Sequence, residues 1–176
     1  KNSIFSKLPS NQIYDSLTRE HLESAYKRAE DNARDEKTTL IVFDDVQAYF
    51  KNRDIEPFLL HMINNRRHAR LSFFIIAQSY QKIPRQIRLA CTHLFAFKLS
   101  KSNLDDIYNE LSEISPADWV GVLREYKRRM KAQPESHPFL FMDANQQRYF
   151  VDWDEIEVDD DLNDEVVEPA AKRSSP

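Results

Sequence analysis

Leu40-Ile41-Val42-Phe43-Asp44-Asp45 sets four apolar residues, two of them β-branched, directly before a pair of carboxylates. With Thr38 and Thr39 in front it is short and apolar without alternation, which predicts a strand buried on both faces of a parallel sheet. Open α/β sheets bind ligands beyond the carboxyl ends of their strands. Asp44 and Asp45 should therefore stand on the ligand edge.

Working outward, a second apolar run, Leu71-Ser72-Phe73-Phe74-Ile75-Ile76-Ala77, stops at Gln78-Ser79, and a third covers residues 92–98. Helical spacing precedes each of the first two. Leu22, Ala25, Tyr26 and Ala29 follow a Thr18 cap, and Phe58, Leu59, Met62 and Ile63 follow Pro57 and end at Asn64-Asn65. A short basic helix is expected around 85–89, and longer helices over 103–111 and 116–131. The last has Ser115 as cap, Pro116 at the first helical position and Asp118 in the first turn. Residues 139–142 and 148–151 read as a terminal hairpin. The alternation through residues 18–131 predicts a three-layer α/β domain with a mostly parallel sheet and a C-terminal β-hairpin.

Composition narrows the function classes. The 176 residues, 41% hydrophobic and 31% charged, suffice for one domain with a real core. Cys91 is the single cysteine, so neither an internal disulfide nor a cysteine zinc cluster can form. No apolar run reaches the roughly 20 residues of a membrane span, and the polar start is not a signal peptide, so a soluble intracellular protein is expected. Gly121 is the only glycine. A Walker A loop, a Rossmann fingerprint and a kinase glycine loop all need several, because backbone N–H groups must approach phosphate closely.

Charge is unevenly placed. Ten of the 29 acids fall between Asp152 and Glu168, where there is no Lys or Arg. Residues 152–176 therefore read as an acidic, disordered tail behind a mildly basic body of residues 1–151. Within that body Pro57 to Leu104 holds no Asp or Glu but eight cations: Arg66, Arg67, Arg70, Lys82, Arg85, Arg88, Lys98 and Lys101. Such a stretch suits phosphate, of DNA or of a nucleotide, or is simply solvated.

An acid doublet at a strand end divides its work in a nucleotide triphosphatase. The first acid orients Mg²⁺, usually through water, and the second polarises the water that attacks the γ-phosphate. Asp44 suits the first task and Asp45 the second. Gln78, ending the next strand, offers a neutral amide able to hydrogen-bond both γ-phosphate and lytic water. Each feature also has a plain structural explanation, a turn acid or a surface amide.

Taken together, LIVFDD (40–45), NNRRH (64–68), FFIIAQSYQKIPRQIR (73–88) and THLFAFK (92–98) resemble the viral genome-packaging ATPases of the FtsK/HerA superfamily, found in poxviruses and other large DNA viruses. The resemblance implies an incomplete RecA-like P-loop core and an ATP- and Mg²⁺-dependent pump. The pump would form a homo-oligomeric ring, drive double-stranded DNA into a preformed capsid, contact capsid or portal proteins, and work in the virion or at the viral assembly site. It makes Asp44 and Asp45 the Walker B acids and Gln78 the sensor amide. Arg66, Arg67 or Arg88 would supply the arginine that reaches a neighbour's γ-phosphate; each of the three could instead pair with an acid such as Asp105 or Asp106, or contact DNA.

The departure from the family is the missing Walker A loop, for which Gly121 comes too late. With Lys rather than Met at position 1, the expectation is the carboxyl-terminal part of a longer ATPase, inactive by itself. The rivals are a carboxylate–metal nuclease, which needs more convergent acids than the 57–104 stretch offers, and a non-enzymatic DNA- or capsid-binding module.

Overall fold

The computed structural model describes residues 7–158, within which the chain divides into two compact units. The first holds the residues up to Cys91 together with Lys101–Glu110. The second holds Thr92–Ser100 and the residues from Leu111 onward. Among the described residues no helix is long and apolar enough to cross a membrane.

In the first unit, helix α1 (Arg19–Arg34) starts where the sequence signals it, with the Thr18 hydroxyl accepting from the His21 N–H at 3.2 Å. It leads into β1 (Thr39–Asp44), helix α2 (Glu56–Asn64) and β2 (Leu71–Ile76), a βαβ order that makes the strands parallel. The register runs from Thr39 opposite Leu71 to Asp44 opposite Ile76. Helix α3 (Arg85–Leu89) follows. Phe43 and Leu71 from the strands meet Leu22 and Ala29 of α1 and Leu59, Met62 and Ile63 of α2 in one core. Phe50 and Ile55, from the polar link after β1, complete it.

This burial is one-sided. Ile41, Phe43, Phe73 and Ile75 face the helices, whereas Leu40, Phe74 and Ile76 on the opposite face are 60%, 49% and 42% exposed. The expected burial on both faces is thus half met, because both helices of this unit that pack on the strands cover the same side.

The second unit is built on an antiparallel sheet of β3 (His93–Phe97), β4 (Phe139–Asp143), β5 (Arg148–Val151) and β6 (Asp154–Ile156), in that order. The third apolar run therefore pairs with the hairpin, His93 opposite Asp143 and Phe97 opposite Phe139, rather than extending a parallel ladder. Helix α4 (Lys101–Leu111) comes next in sequence and then α5 (Pro116–Ala132), capped by the Ser115 hydroxyl accepting from Asp118 N–H at 3.1 Å. Trp119, Val122 and Tyr126 of α5 are buried together with Leu140, Met142, Tyr149 and Val151 of the sheet, and the Tyr126 hydroxyl donates to the Ala96 carbonyl at 3.2 Å.

Strand β6 extends the sheet past residue 151, where composition places the tail's start. Two arginines hold it: Arg148 grips Glu155 through two 2.6 Å contacts, and Arg129 reaches Asp154 at 2.8 Å. The rest of the acidic stretch expected to be disordered, 159–176, lies outside the described residues.

Candidate active site

The carboxyl ends of β1 and β2 lie side by side, so the chain's two sharpest chemical signals meet on one rim of the first unit. Asp44 is the last residue of β1, paired with Ile76. Asp45 follows with φ 54°, a left-handed backbone that costs most residues about 1–2 kcal/mol and that Asp tolerates comparatively well. Its N–H still donates to the Ile76 carbonyl at 3.1 Å, so the ladder continues one residue beyond the strand while the side chain is turned outward. The Gln78 amide then donates from Nε2 to Asp45 Oδ2 at 3.0 Å. Asp44, Asp45, Ile76, Ala77 and Gln78 line an open depression of about 300 Å³.

A further residue joins them that sequence reasoning passed over. Gln47 opens a short helical turn, Gln47–Tyr49, and donates from Nε2 to Asp45 Oδ1 at 2.9 Å. Both Asp45 oxygens thus accept from amides. A hydrogen bond to a charged acceptor is worth about 1.5–3 kcal/mol net, while a buried polar atom left unpaired costs about 1–3 kcal/mol. Gln47 shows both, since its Oε1 is buried without a partner. The sequence signal was slight: a glutamine between Val46 and Ala48 in a link that otherwise reads as polar.

Asp44 is exposed, and its carboxylate makes no hydrogen bond or ion pair among the described residues. Nor does any group of three or more His, Cys, Asp or Glu that could hold a metal ion occur among them. One or two carboxylates fit Mg²⁺, which keeps most of its water and binds chiefly through substrate phosphates. They do not fit the several convergent acids that a carboxylate–metal nuclease requires.

The three arginines separate cleanly. Arg66 donates from Nη1 to the Ile63 carbonyl at 2.8 Å, closing the end of α2. Arg67 is exposed, and its side chain makes no hydrogen bond, ion pair or ring contact among the described residues. Both precede β2, whereas Asp45 and Gln78 lie beyond its far end, so the length of a six-residue strand, roughly 20 Å, stands between them. The structure does not bring either to the acid pair of its own chain.

Arg88 is 11% exposed and paired with Glu110 of α4 at 3.0 Å, lying over the Tyr80 ring at 4.7 Å. Tyr80 donates its hydroxyl to Glu110 at 3.0 Å, and burial followed by that bond pushes its pKa far above the ordinary tyrosine value. Arg88 is therefore held in an ion pair of the first unit. Its acid is Glu110 rather than Asp105 or Asp106; Asp106 accepts from Gln81 at 2.6 Å instead.

The fold has known counterparts. B204, described as the DNA-packaging ATPase from Sulfolobus turreted icosahedral virus, superimposes with a TM-score of 0.59 at 17% identity, over 80% of this chain and 64% of that one. The genome-packaging NTPase B204 of Sulfolobus turreted icosahedral virus 2 is similar in its AMP complex (TM-score 0.54, 16% identity, 81% of this chain and 66% of that one). In its ATP-gammaS complex the values are 0.55, 15%, 80% and 66%. The chain thus spans a little under two thirds of the length of these neighbours, and at such identities the likeness establishes a shared fold. No curated protein sequence matches it. The model of the family described as Poxvirus A32 protein matches residues 7–166, nearly the whole chain, and the chain belongs to that family.

Proposed function

We propose that this chain is part of an ATP-driven double-stranded DNA translocase that packages a viral genome into a preformed capsid. The observation that carries this reading is the Gln78–Asp45 hydrogen bond, which sets amide and acid together at the carboxyl rim of a parallel strand pair. Membership of the poxvirus A32 family supports it, as do neighbours whose descriptions are genome-packaging NTPases bound to AMP and ATP-gammaS. The glycine-rich loop that cradles the phosphates is not in this sequence, and we assign it to protein beyond these 176 residues.

In that assembly Asp44, exposed and unpaired, would hold Mg²⁺ through the ion's water shell, and such an ion would supply charge neutralisation at the phosphates. Asp45 accepts a hydrogen bond from the attacking water and draws its proton, using carboxylate lone pairs that the two amides leave open. Gln78, exposed beside it, turns its carboxamide to the γ-phosphate and the same water. Arg67, exposed and far from its own chain's rim, is the arginine offered to a neighbour's γ-phosphate in a homo-oligomeric ring. Its planar, permanently charged fork suits that task. The ring acts on double-stranded DNA at the viral assembly site, beside capsid or portal proteins.

The test is ATP turnover. The longer protein carrying its phosphate loop should hydrolyse ATP, faster with double-stranded DNA present, and the 176-residue chain should turn over almost none. Salt-sensitive DNA binding by both forms with turnover by neither would instead establish a non-enzymatic DNA-binding module.

A further inference from the structure

We propose that Gln47 is a positioning residue for the hydrolytic step, a fixed clamp that keeps the Asp45 carboxylate aimed while Gln78 exchanges partners. The proposal rests on the assignment of Asp45 as the group that acts on the lytic water. Its own ground is the contrast between the two amides that Asp45 accepts from.

Gln47 is the one buried polar side chain among the described residues, 6% exposed, and its Nε2 reaches Asp45 Oδ1 at 2.9 Å. It belongs to the turn that leaves Asp45, where the Tyr49 N–H donates to the Val46 carbonyl at 3.0 Å and the Phe50 N–H to the Gln47 carbonyl at 3.3 Å. Phe50, wholly buried, anchors that turn in the core. Gln78 reaches the other oxygen, Oδ2, from an exposed position past the end of β2. An exposed carboxamide can swing to a phosphate oxygen without disturbing anything else. A buried one in a packed turn cannot.

The unpaired Oε1 of Gln47 supports the same reading. Reversing the amide would set that oxygen against Asp45 Oδ1, acceptor against acceptor, so the carboxylate dictates the orientation and the orphaned carbonyl follows from it. Interiors leave few buried polar atoms unpaired, and each exception calls for a cause. Here the cause is the bond to Asp45. A left-handed backbone at Asp45 and one buried donor together fix where its carboxylate points, whatever Gln78 is doing.

The experiment compares Gln47→Met, which keeps length and volume but removes both polar atoms, with Gln78→Ala. In this chain, Hα–Hβ coupling constants report the Asp45 side-chain rotamer. A single rotamer is expected in the wild type and in Gln78→Ala, and averaging over rotamers in Gln47→Met. A fixed rotamer in Gln47→Met, or averaging in Gln78→Ala, overturns the proposal. Gln47→Glu, which sets a second carboxylate against Asp45, should also disturb the rotamer and serves if the Met variant does not fold. In the ATP-hydrolysing longer protein Gln47→Met should lower kcat by about tenfold to a hundredfold, the effect of a misaimed group, with KM nearly unchanged. An unchanged kcat there is equally fatal. If Asp45→Asn leaves turnover intact, the role given to Asp45 fails instead, and the coupling constants still decide the clamp.

Discussion

Asp45→Asn should lower kcat of the proposed longer ATPase by about 10²–10⁴-fold, the usual contribution of a positioned general base. The substitution is clean for structural reasons. Asn has nearly the same shape and is, with Asp, among the few residues that accept the left-handed φ of 54° found at this position. Asp45 is exposed and outside the core, so the stability cost should be confined to its bonds with Gln47 and Gln78, about 1.5 kcal/mol. What disappears is the negative charge, the capacity to take a proton, and one of the two amide contacts, since an Asn NH₂ would face the NH₂ of either Gln47 or Gln78. Steady-state kinetics at saturating ATP, with a thermal melt beside them, check both halves of the expectation.

The second large effect divides the arginines. Arg88→Ala should destabilise this chain by about 3–5 kcal/mol, the result of leaving the other member of a nearly buried pair uncompensated. The value should fall toward the low end, because Arg85 lies 3.6 Å from the same Glu110 carboxylate. That is a large part of the roughly 5–15 kcal/mol that keeps an ordinary domain folded. Arg67→Ala, removing an exposed and unpartnered side chain, should shift the stability of the isolated chain by less than about 0.5 kcal/mol. In the proposed ring the order should reverse. An arginine acting on a neighbour's γ-phosphate is worth about 10³–10⁵ in kcat, and mixing Arg67→Ala subunits with Asp45→Asn subunits should restore turnover well above the small residue that each variant alone retains. Urea unfolding and mixed-subunit ATPase assays measure the two effects; substantial loss of stability in Arg67→Ala with none in Arg88→Ala would reverse the assignment.

Much of this was legible in the chain because its signals are local. Apolar runs give β1 and β2, the Thr18 and Ser115 caps give the starts of α1 and α5, and an acid pair at the end of one parallel strand with an amide past the next predicts a shared rim. What stayed hidden depends on partners distant in sequence. Nothing in Thr92–Lys98 says that its neighbour is Phe139–Asp143, forty residues on. Strand β6 is invisible because Asp154-Glu155 reads as acidic tail until Arg129 and Arg148 fold back to pair with it. Arg66, Arg67 and Arg88 cannot be told apart without knowing that Glu110 returns to Arg88, and Gln47 cannot be recognised as buried while the link around it reads as loop. One-sided burial of β1 and β2 is equally illegible: Leu40 and Phe43 look alike in sequence, yet one is 60% and the other 5% exposed.

The central claim is that Asp45 and Gln78 serve a single reacting centre, and a double-mutant cycle on turnover tests it most directly. Groups acting as one unit are strongly non-additive. Asp45→Asn combined with Gln78→Ala should be scarcely slower than Asp45→Asn alone. Losses that multiply, each substitution acting in full regardless of the other, would contradict it.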